Sequence, residues 1–136
     1  MLLRQLKDTN GENALILELG RKIFREDDEI PLLKKALAQY VPELSYAAIV
    51  DENIVGFVLV CKKMTECYYK FMRSISNCYE LAFLGINPKF QGYGLGTRLL
   101  KETLLAIFQT SKTFTCWLLV DTINYGAVRL LSLIHI

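Results

Sequence analysis

The sequence contains few of the residues that build metal sites or disulfide frameworks. It has 4 cysteines and 1 histidine in 136 residues, and no two cysteines form a C-x-x-C pair. Irregular cysteine spacing and a single histidine argue against a zinc site, so we expect no metal. Unpaired cysteines also favour reduced thiols, which are typical of a cytoplasmic or nuclear protein.

Long hydrophobic runs and an excess of one charge are missing as well. The apolar runs are well short of the about 20 residues that a membrane-spanning helix needs, so we expect no membrane contact. No secretory signal is visible at the N-terminus. The 16 basic and 14 acidic residues give a net charge of +2, and the basic ones are scattered. Because nucleic-acid-binding proteins gather basic residues into patches, we expect no direct nucleic-acid partner.

Apolar residues are plentiful instead, and their pattern predicts one mixed α/β domain. At 52% of 136 residues, they suffice for a single hydrophobic core. The predicted elements are strands at residues 2–7, 46–50, 54–62, 78–86 and 114–121, and helices at residues 12–25, 29–41, 94–110 and from 124 onward. Strands joined by both a hairpin and helical crossovers imply a mixed central β-sheet flanked by helices, in the α/β (α+β) class. Residues 65–77 show no clean period and are interpreted as a connection.

Two predicted helices have an apolar face that we expect to be buried. In the first helix this face consists of Leu15, Leu19, Ile23 and Phe24. In the helix at residues 94–110 it consists of Leu95, Leu99, Leu100, Ile107 and Phe108.

The most informative segment is Q-G-Y-G-L-G at residues 91–96, here called the glycine turn, which lies between a predicted strand and a predicted helix. Glycines allow close backbone approach and unusual φ values, and a helix N-terminus presents unpaired N–H groups beside a partial positive charge. Together they predict a site for phosphate or diphosphate. The spacing does not fit a P-loop and is one residue out of register with the dinucleotide pattern. The alternative is that the glycines only pack a helix against a strand.

The glycine turn also carries a family resemblance. Gln91-x-x-Gly94-x-Gly96 matches the Q/R-x-x-G-x-G/A signature of the GCN5-related N-acetyltransferase (GNAT) superfamily. The hairpin A-A-I-V-D-E-N-I-V-G-F-V-L-V, the strand E-L-A-F-L-G-I-N-P and the later segment L-L-V-D-T-I-N-Y-G-A-V-R-L-L resemble that family in the same order. The resemblance spans nearly the whole chain. It implies an acyl-CoA N-acyltransferase fold, with residues 1–130 as the N-acetyltransferase domain.

The resemblance implies acetyl-CoA as co-substrate, held mainly by main-chain groups. The backbone N–H groups of residues 91–97 would hold the diphosphate, and the strand around Gly85 would bond the pantetheine arm as an added strand does. Asn124 would steady the far end of the arm, unless it is a plain helix N-cap. The implied cofactor-binding residues are Leu84, Gly85, Ile86, Gln91, Gly92, Tyr93, Gly94, Leu95, Gly96, Thr97 and Asn124.

Glu80 is the candidate catalytic base. An amine that attacks a thioester must first lose its ammonium proton. Glu80 begins an apolar strand, where desolvation raises the pKa of a carboxyl group, and it resembles the catalytic glutamate of the histone-acetylating branch. The alternative is a solvated glutamate at a strand end. Tyr79 is expected in the core on the opposite face, and a backbone N–H at residues 84–86 is the expected oxyanion donor.

The acceptor is expected to be a primary amine, with a protein lysine or N-terminus favoured over a small metabolite by family analogy. Two other functional classes remain open. One is a catalytically silent acyl-CoA-binding or interaction module, which would bind coenzyme A without releasing its thiol. The other is a nucleotide-binding regulator, which would prefer ATP or NAD. The sequence does not indicate an oligomeric state.

The last six residues, L-S-L-I-H-I at 131–136, depart from the family pattern. The family has a tyrosine where Leu131 stands, followed by two further strands. We interpret residues 131–136 as a non-native tail, because a transposon-end adapter of sequencing libraries encodes the same six residues, and we assign His135 no role. On this interpretation the fold is C-terminally incomplete, and we expect marginal stability and weak activity. The alternative is a genuine short C-terminus, in which the helix simply ends.

Overall fold

The computed structural model describes residues 2–62 and 78–110, together with the backbone of residues 115–117. The elements are β1 (Leu2–Gln5), α1 (Asn10–Ile23), α2 (Glu29–Leu37), β2 (Tyr46–Val50), β3 (Asn53–Cys61), β4 (Cys78–Ile86), α3 (Leu95–Thr110) and β5 (Thr115–Trp117). Single 3₁₀ turns at Pro42–Leu44 and Pro88–Phe90 precede β2 and the glycine turn. The element order predicted from the sequence is confirmed up to β5. The connection at residues 65–77 and the helix from residue 124 lie outside the described residues.

The five strands form one mixed sheet in the order β1-β2-β3-β4-β5. The first three pairs of neighbours are antiparallel, whereas β4 and β5 are parallel, with Glu80 opposite Trp117. A parallel pair needs a crossover connection, which the segment containing α3 supplies. The predicted mixed sheet flanked by helices is therefore confirmed.

The predicted hairpin joins β2 to β3 through a two-residue turn. Val50 pairs with Asn53, and the two residues between them, Asp51 and Glu52, have φ angles of 50° and 66°. Two successive positive φ angles are the signature of the type I′ turn, whose twist matches that of the flanking strands. The Asn53 side chain donates a hydrogen bond to the Asp51 carbonyl at 3.1 Å and holds the turn.

Helices cover both faces of the sheet, and β3 contributes to both cores. Phe57, Leu59 and Cys61 face α1 and α2, whereas Val58 and Val60 face α3. Successive side chains of a strand point to opposite faces of the sheet, which gives this alternation. Because helices cover both faces, residues on either side of β3 are apolar. None of the helices in the described part of the chain has the length and apolar character needed to cross a membrane.

Two residues expected in the core are at the surface. Leu15 is 53% exposed and Phe108 is 51% exposed. The buried face of α1 instead includes Ile16, Leu19 and Gly20. Gly20 belongs to this face because α2 packs tightly on it: a Cβ at Gly20 would lie only 2.3 Å from Leu33 Cδ2.

In α3 the buried face includes a polar residue that hydropathy alone overlooks. Thr103 is fully buried, and its hydroxyl group donates a hydrogen bond to the Leu44 carbonyl at 3.1 Å. This bond satisfies a donor that would otherwise destabilise the core. The second helix is also shorter than expected, since α2 ends at Leu37 and Tyr40 forms an isolated antiparallel bridge with Cys61.

Gly20→Ala is expected to lower the free energy of unfolding by about 1–2 kcal/mol, because the overpacking against Leu33 outweighs the gain in helix propensity. Gly11→Ala is the matched control within the same helix, since a Cβ at Gly11 meets nothing within 4 Å. We expect Gly11→Ala to leave stability unchanged or raise it by up to about 0.5 kcal/mol. Urea denaturation followed by circular dichroism measures both, and equal effects would contradict the proposed close approach of α1 and α2.

Candidate active site

The glycine turn adopts a backbone conformation that requires glycine at two positions. Gly92 and Gly94 have φ angles of 89° and 79°, in the region that L side chains rarely adopt. Both are exposed, and a Cβ at either position would meet nothing within 4 Å. These two glycines are therefore needed for the path of the backbone, and the alternative that they only pack a helix against a strand does not apply to them.

The first turn of α3 follows immediately and presents backbone N–H groups. The first bond into the helix runs from Arg98 N to Gly94 O at 3.1 Å. The N–H groups of Leu95, Gly96 and Thr97 precede this bond, so no helical carbonyl can accept from them. The helix dipole adds a partial positive charge at the same place. The arrangement has the properties of an anion site.

The side chains around the glycine turn favour an anion as well. Residues 81–101 contain Lys89, Arg98 and Lys101 and no acidic residue. Tyr93, between the two glycines, is 77% exposed, whereas Leu95 is buried and anchors the first turn of α3. Lys89 and Arg98 thus flank the glycine turn in the sequence, and the turn itself carries no charged side chain.

The turn that leads from β4 to Gln91 is held by a set of hydrogen bonds, most of them between residues close in sequence. Asn87 N donates to Val55 O at 2.8 Å, and Phe90 N donates to Asn87 O at 2.8 Å. The Asn87 side chain accepts from Lys89 N at 3.0 Å. Gln91 N donates to Pro88 O at 3.4 Å, and its side chain donates to Ile86 O at 3.2 Å. The turn therefore reaches the first glycine on a fixed path.

The end of β4, where sequence analysis places the pantetheine arm, is closely packed. Leu84 and Ile86 pack on the α3 side of the sheet. Gly85 is buried on the other side, where a Cβ would lie 3.0 Å from the Phe57 ring and 3.2 Å from Ile23 Cδ1. Gly85 thus has a packing role of its own. Its main-chain role toward a ligand stays a prediction.

A β-bulge lies in the middle of β4 and was not expected from the sequence. Phe83 pairs with Leu59 and Leu81 pairs with Val60, which leaves Ala82 without an opposite residue in β3. The alternation changes phase there, so that Leu81 and Leu84 both pack on the α3 side. A bulge redirects backbone groups out of the regular ladder. No sequence signal marks it, because β4 is apolar on both faces.

Glu80 is buried two residues before this bulge. It is 5% exposed and lies opposite Cys61 in β3 and Trp117 in β5. The alternative of a solvated glutamate at a strand end is therefore wrong. Tyr79 is buried on the α3 side, as expected.

The buried thiol of Cys61 responds to this environment. Burial, together with the nearby Glu80 carboxylate, raises the pKa of Cys61 to about 12. The thiol is thus protonated at neutral pH and inert as a nucleophile. Cys61 behaves as the small apolar core residue that the sequence predicts.

Other predicted features lie outside the description. Asn124 and the side chain of Trp117 are not among the described residues. Within residues 2–62 and 78–110, no group of three or more His, Cys, Asp or Glu side chains is placed to hold a metal ion.

Gly94→Ala is expected to lower the free energy of unfolding by about 1–2 kcal/mol, because an L residue at this positive φ is strained even in open space. Gly11→Ala is again the matched control, since its added Cβ also enters open space but on a helical backbone. Urea denaturation of the two variants isolates the backbone effect. Equal stability of the two would show that residue 94 does not need its left-handed conformation.

Comparison with known proteins identifies the family. The acetyltransferase (GNAT) family model matches residues 13–133 of the chain. A search of curated protein sequences finds no match.

Solved structures share the fold at low sequence identity. The ribosomal-protein-S18-alanine N-acetyltransferase from Escherichia coli is 14% identical, with a TM-score of 0.71 over 96% of this chain and 74% of that one. Arabidopsis thaliana Naa50, in complex with the bisubstrate analogue CoA-Ac-MVNAL, is 21% identical, with a TM-score of 0.66 over 96% and 79% of the two chains. A GNAT acetyltransferase from Brucella melitensis in complex with acetyl-CoA is 18% identical, with a TM-score of 0.64 over 93% and 80%. At these identities the likeness shows the fold alone.

The family match spans most of the sequence, and the structural matches span nearly all of it. Both agree with the resemblance carried by the glycine turn and by the strands around it. The chain belongs to the GNAT family of acetyltransferases.

Proposed function

We propose that the chain is an acetyl-CoA-dependent N-acetyltransferase whose acceptor is a primary amine, with a protein N-terminus or lysine favoured. The observation that carries the proposal is the conformation of the glycine turn. Gly92 and Gly94 adopt positive φ angles at an exposed site, directly before the first-turn N–H groups of α3. A diphosphate needs such convergent N–H donors together with a positive dipole.

The co-substrate fits this end of the molecule in charge and in shape. The N–H groups of residues 92–97 would hold the diphosphate, and Lys89, two residues before Gln91 and exposed, adds positive charge. Two of the solved relatives contain a coenzyme A derivative, namely Naa50 with its bisubstrate analogue and the Brucella melitensis protein with acetyl-CoA. These complexes support coenzyme A over a nucleotide such as ATP or NAD.

The acetyl group would then lie along β4. The main chain of Leu84, Gly85 and Ile86 would bind the pantetheine arm as an added strand does. Negative charge develops on the thioester oxygen during attack, and a backbone N–H fixed at that point stabilises it. Besides residues 84–86, the bulge at Ala82 supplies a second candidate donor, because a bulge turns backbone groups away from the neighbouring strand.

Glu80 would accept the proton of the attacking amine. Its carboxyl group is buried in the sheet two residues from the bulge, so that water is largely excluded around it. The carbon–nitrogen bond forms as the carbon–sulfur bond breaks, and the amine proton passes to the carboxylate, directly or through one water. The departing thiolate takes up a proton from solvent and Glu80 returns the amine proton to solvent, so the products are an acetylated amine and the free thiol of coenzyme A.

The preference for a peptide or protein amine is supported by the relatives. The Escherichia coli enzyme is named for an alanine of ribosomal protein S18, and Naa50 was captured with an analogue that joins coenzyme A to the peptide MVNAL. Both acceptors are protein or peptide amines. A catalytically silent acyl-CoA-binding module is the second candidate, because the conformation of the glycine turn supports binding of coenzyme A and does not by itself require acetyl transfer.

Coenzyme A binding by the wild-type chain is the first expected outcome, measured by isothermal titration calorimetry. Gly94→Ala should weaken binding about tenfold or more, because one misdirected N–H costs a charge-assisted hydrogen bond. Gly11→Ala, which changes a distant helix, should leave the affinity unchanged. Tighter binding of ATP or NAD than of coenzyme A would favour a nucleotide-binding regulator instead.

Amine-dependent release of free thiol from acetyl-CoA tests the enzymatic step. A peptide with a free N-terminus, a lysine peptide with a blocked N-terminus and a small amine rank the acceptor classes. Glu80→Gln should lower kcat about 100-fold, because general-base catalysis typically contributes that much, while coenzyme A affinity is retained. The control Glu18→Gln, at an exposed position of α1, should retain activity. Coenzyme A binding without thiol release from any amine would identify the silent module.

A further inference from the structure

We infer that Gln91 is a positioning residue, whose side chain fixes the glycine turn for its ligand before the ligand arrives. The inference rests on the proposed function and concerns how that site is held in shape. Gln91 Nε2 donates a hydrogen bond to the Ile86 carbonyl at 3.2 Å. Ile86 is the last residue of β4, and Gln91 directly precedes Gly92, so this bond joins the end of the sheet to the start of the glycine turn.

The hydrogen bond of Gln91 is the last of a set of contacts that fixes the backbone up to the first glycine of the turn. Asn87 N donates a hydrogen bond to Val55 O, and Asn87 accepts hydrogen bonds from Lys89 N and Phe90 N. Phe90 also packs beside Leu95 and Leu99 in the core under α3. These contacts hold residues 87–90. The side-chain hydrogen bond of Gln91 fixes the next residue as well, so the backbone is restrained up to Gly92.

Gln91 donates two hydrogen bonds back into the protein. Its backbone N–H donates to Pro88 O, and its side-chain amide donates to Ile86 O. The side chain is thus placed to act through the turn, because its bond to Ile86 O fixes the backbone that leads into Gly92. This differs from the direct role that the family signature alone implies for residue 91.

The energetic reason lies in the glycines. A glycine samples far more backbone states than other residues, so a turn with two glycines loses much entropy when it orders around a ligand. A hydrogen bond that restricts the turn in the ligand-free protein removes part of this loss, and the affinity rises without any new contact. One exposed hydrogen bond of this kind corresponds to about a three- to tenfold change in affinity.

Gln91→Met tests the inference, because methionine has a similar length but no donor. Gln5→Met is the matched control, since Gln5 Nε2 also donates to a backbone carbonyl, that of Glu43, at 3.0 Å and at an exposed site on β1. We expect Gln91→Met to weaken coenzyme A binding about three- to tenfold and to shift or broaden the ligand-free amide resonances of Gly92 and Gly94. Gln5→Met should do neither.

Two outcomes would overturn the inference. One is unchanged coenzyme A affinity of Gln91→Met. The other is reduced affinity with unchanged ligand-free resonances of Gly92 and Gly94, which would mean that the side chain contacts the ligand directly. If the wild-type chain fails to bind coenzyme A, the proposed function fails, whereas the ligand-free spectra still decide whether Gln91 positions the turn.

Discussion

The packing of α3 against the sheet is the constraint on which the candidate site depends. Leu95, Leu99, Leu100 and Ile107 are buried against strands that include β3 and β4, and the Thr103 hydroxyl group is bonded to Leu44 O on the same side. Because its apolar face is fixed along its length, α3 cannot slide or rotate without exposing core residues. Its N-terminus is thereby held just beyond the end of β4. The core under α3 therefore fixes the position of the glycine turn, which directly precedes this helix.

The sheet also separates the two halves of the proposed chemistry. The glycine turn and the side chains of Leu84 and Ile86 belong to the α3 side, whereas Cys61, opposite Glu80, belongs to the core under α1 and α2. The bulge at Ala82 lies between them in β4 and changes which side chains face which helix. In the proposed function, the co-substrate would therefore bind from one side of β4 while the amine approaches Glu80 from the other.

Much of the fold could be predicted from the sequence, because burial on one or both faces of a strand leaves a clear apolar pattern. β3 and β4, the D-E turn between β2 and β3, and the glycine turn all follow from local chemistry. The burial of Glu80 was also predictable, since it stands within an apolar strand. Leu15 was misplaced because adjacent faces of α1 are both apolar, and the contact of α2 with Gly20 favours the face that carries Ile16 and Leu19. Phe108 was misplaced because it adjoins the buried face of α3, which at this end includes Ala106 and Ile107. The bulge at Ala82 and the bond from Gln91 to Ile86 depend on strand register and on chain reversal, which composition does not encode.

The parallel pairing of β4 with β5 has a consequence for synthesis of the protein on the ribosome. The antiparallel pairs β2–β3 and β3–β4 join strands that are consecutive in the chain, and the β2–β3 hairpin needs only its two-residue turn. Contacts between nearby residues form faster than distant ones, so a nascent chain completes this meander early. β5 can join only after α3 and residue 117 have left the exit tunnel. The glycine turn and α3, which form the proposed coenzyme A site, are also synthesised after this meander, so the co-substrate can stabilise only the later stages of folding, in which α3 and β5 dock.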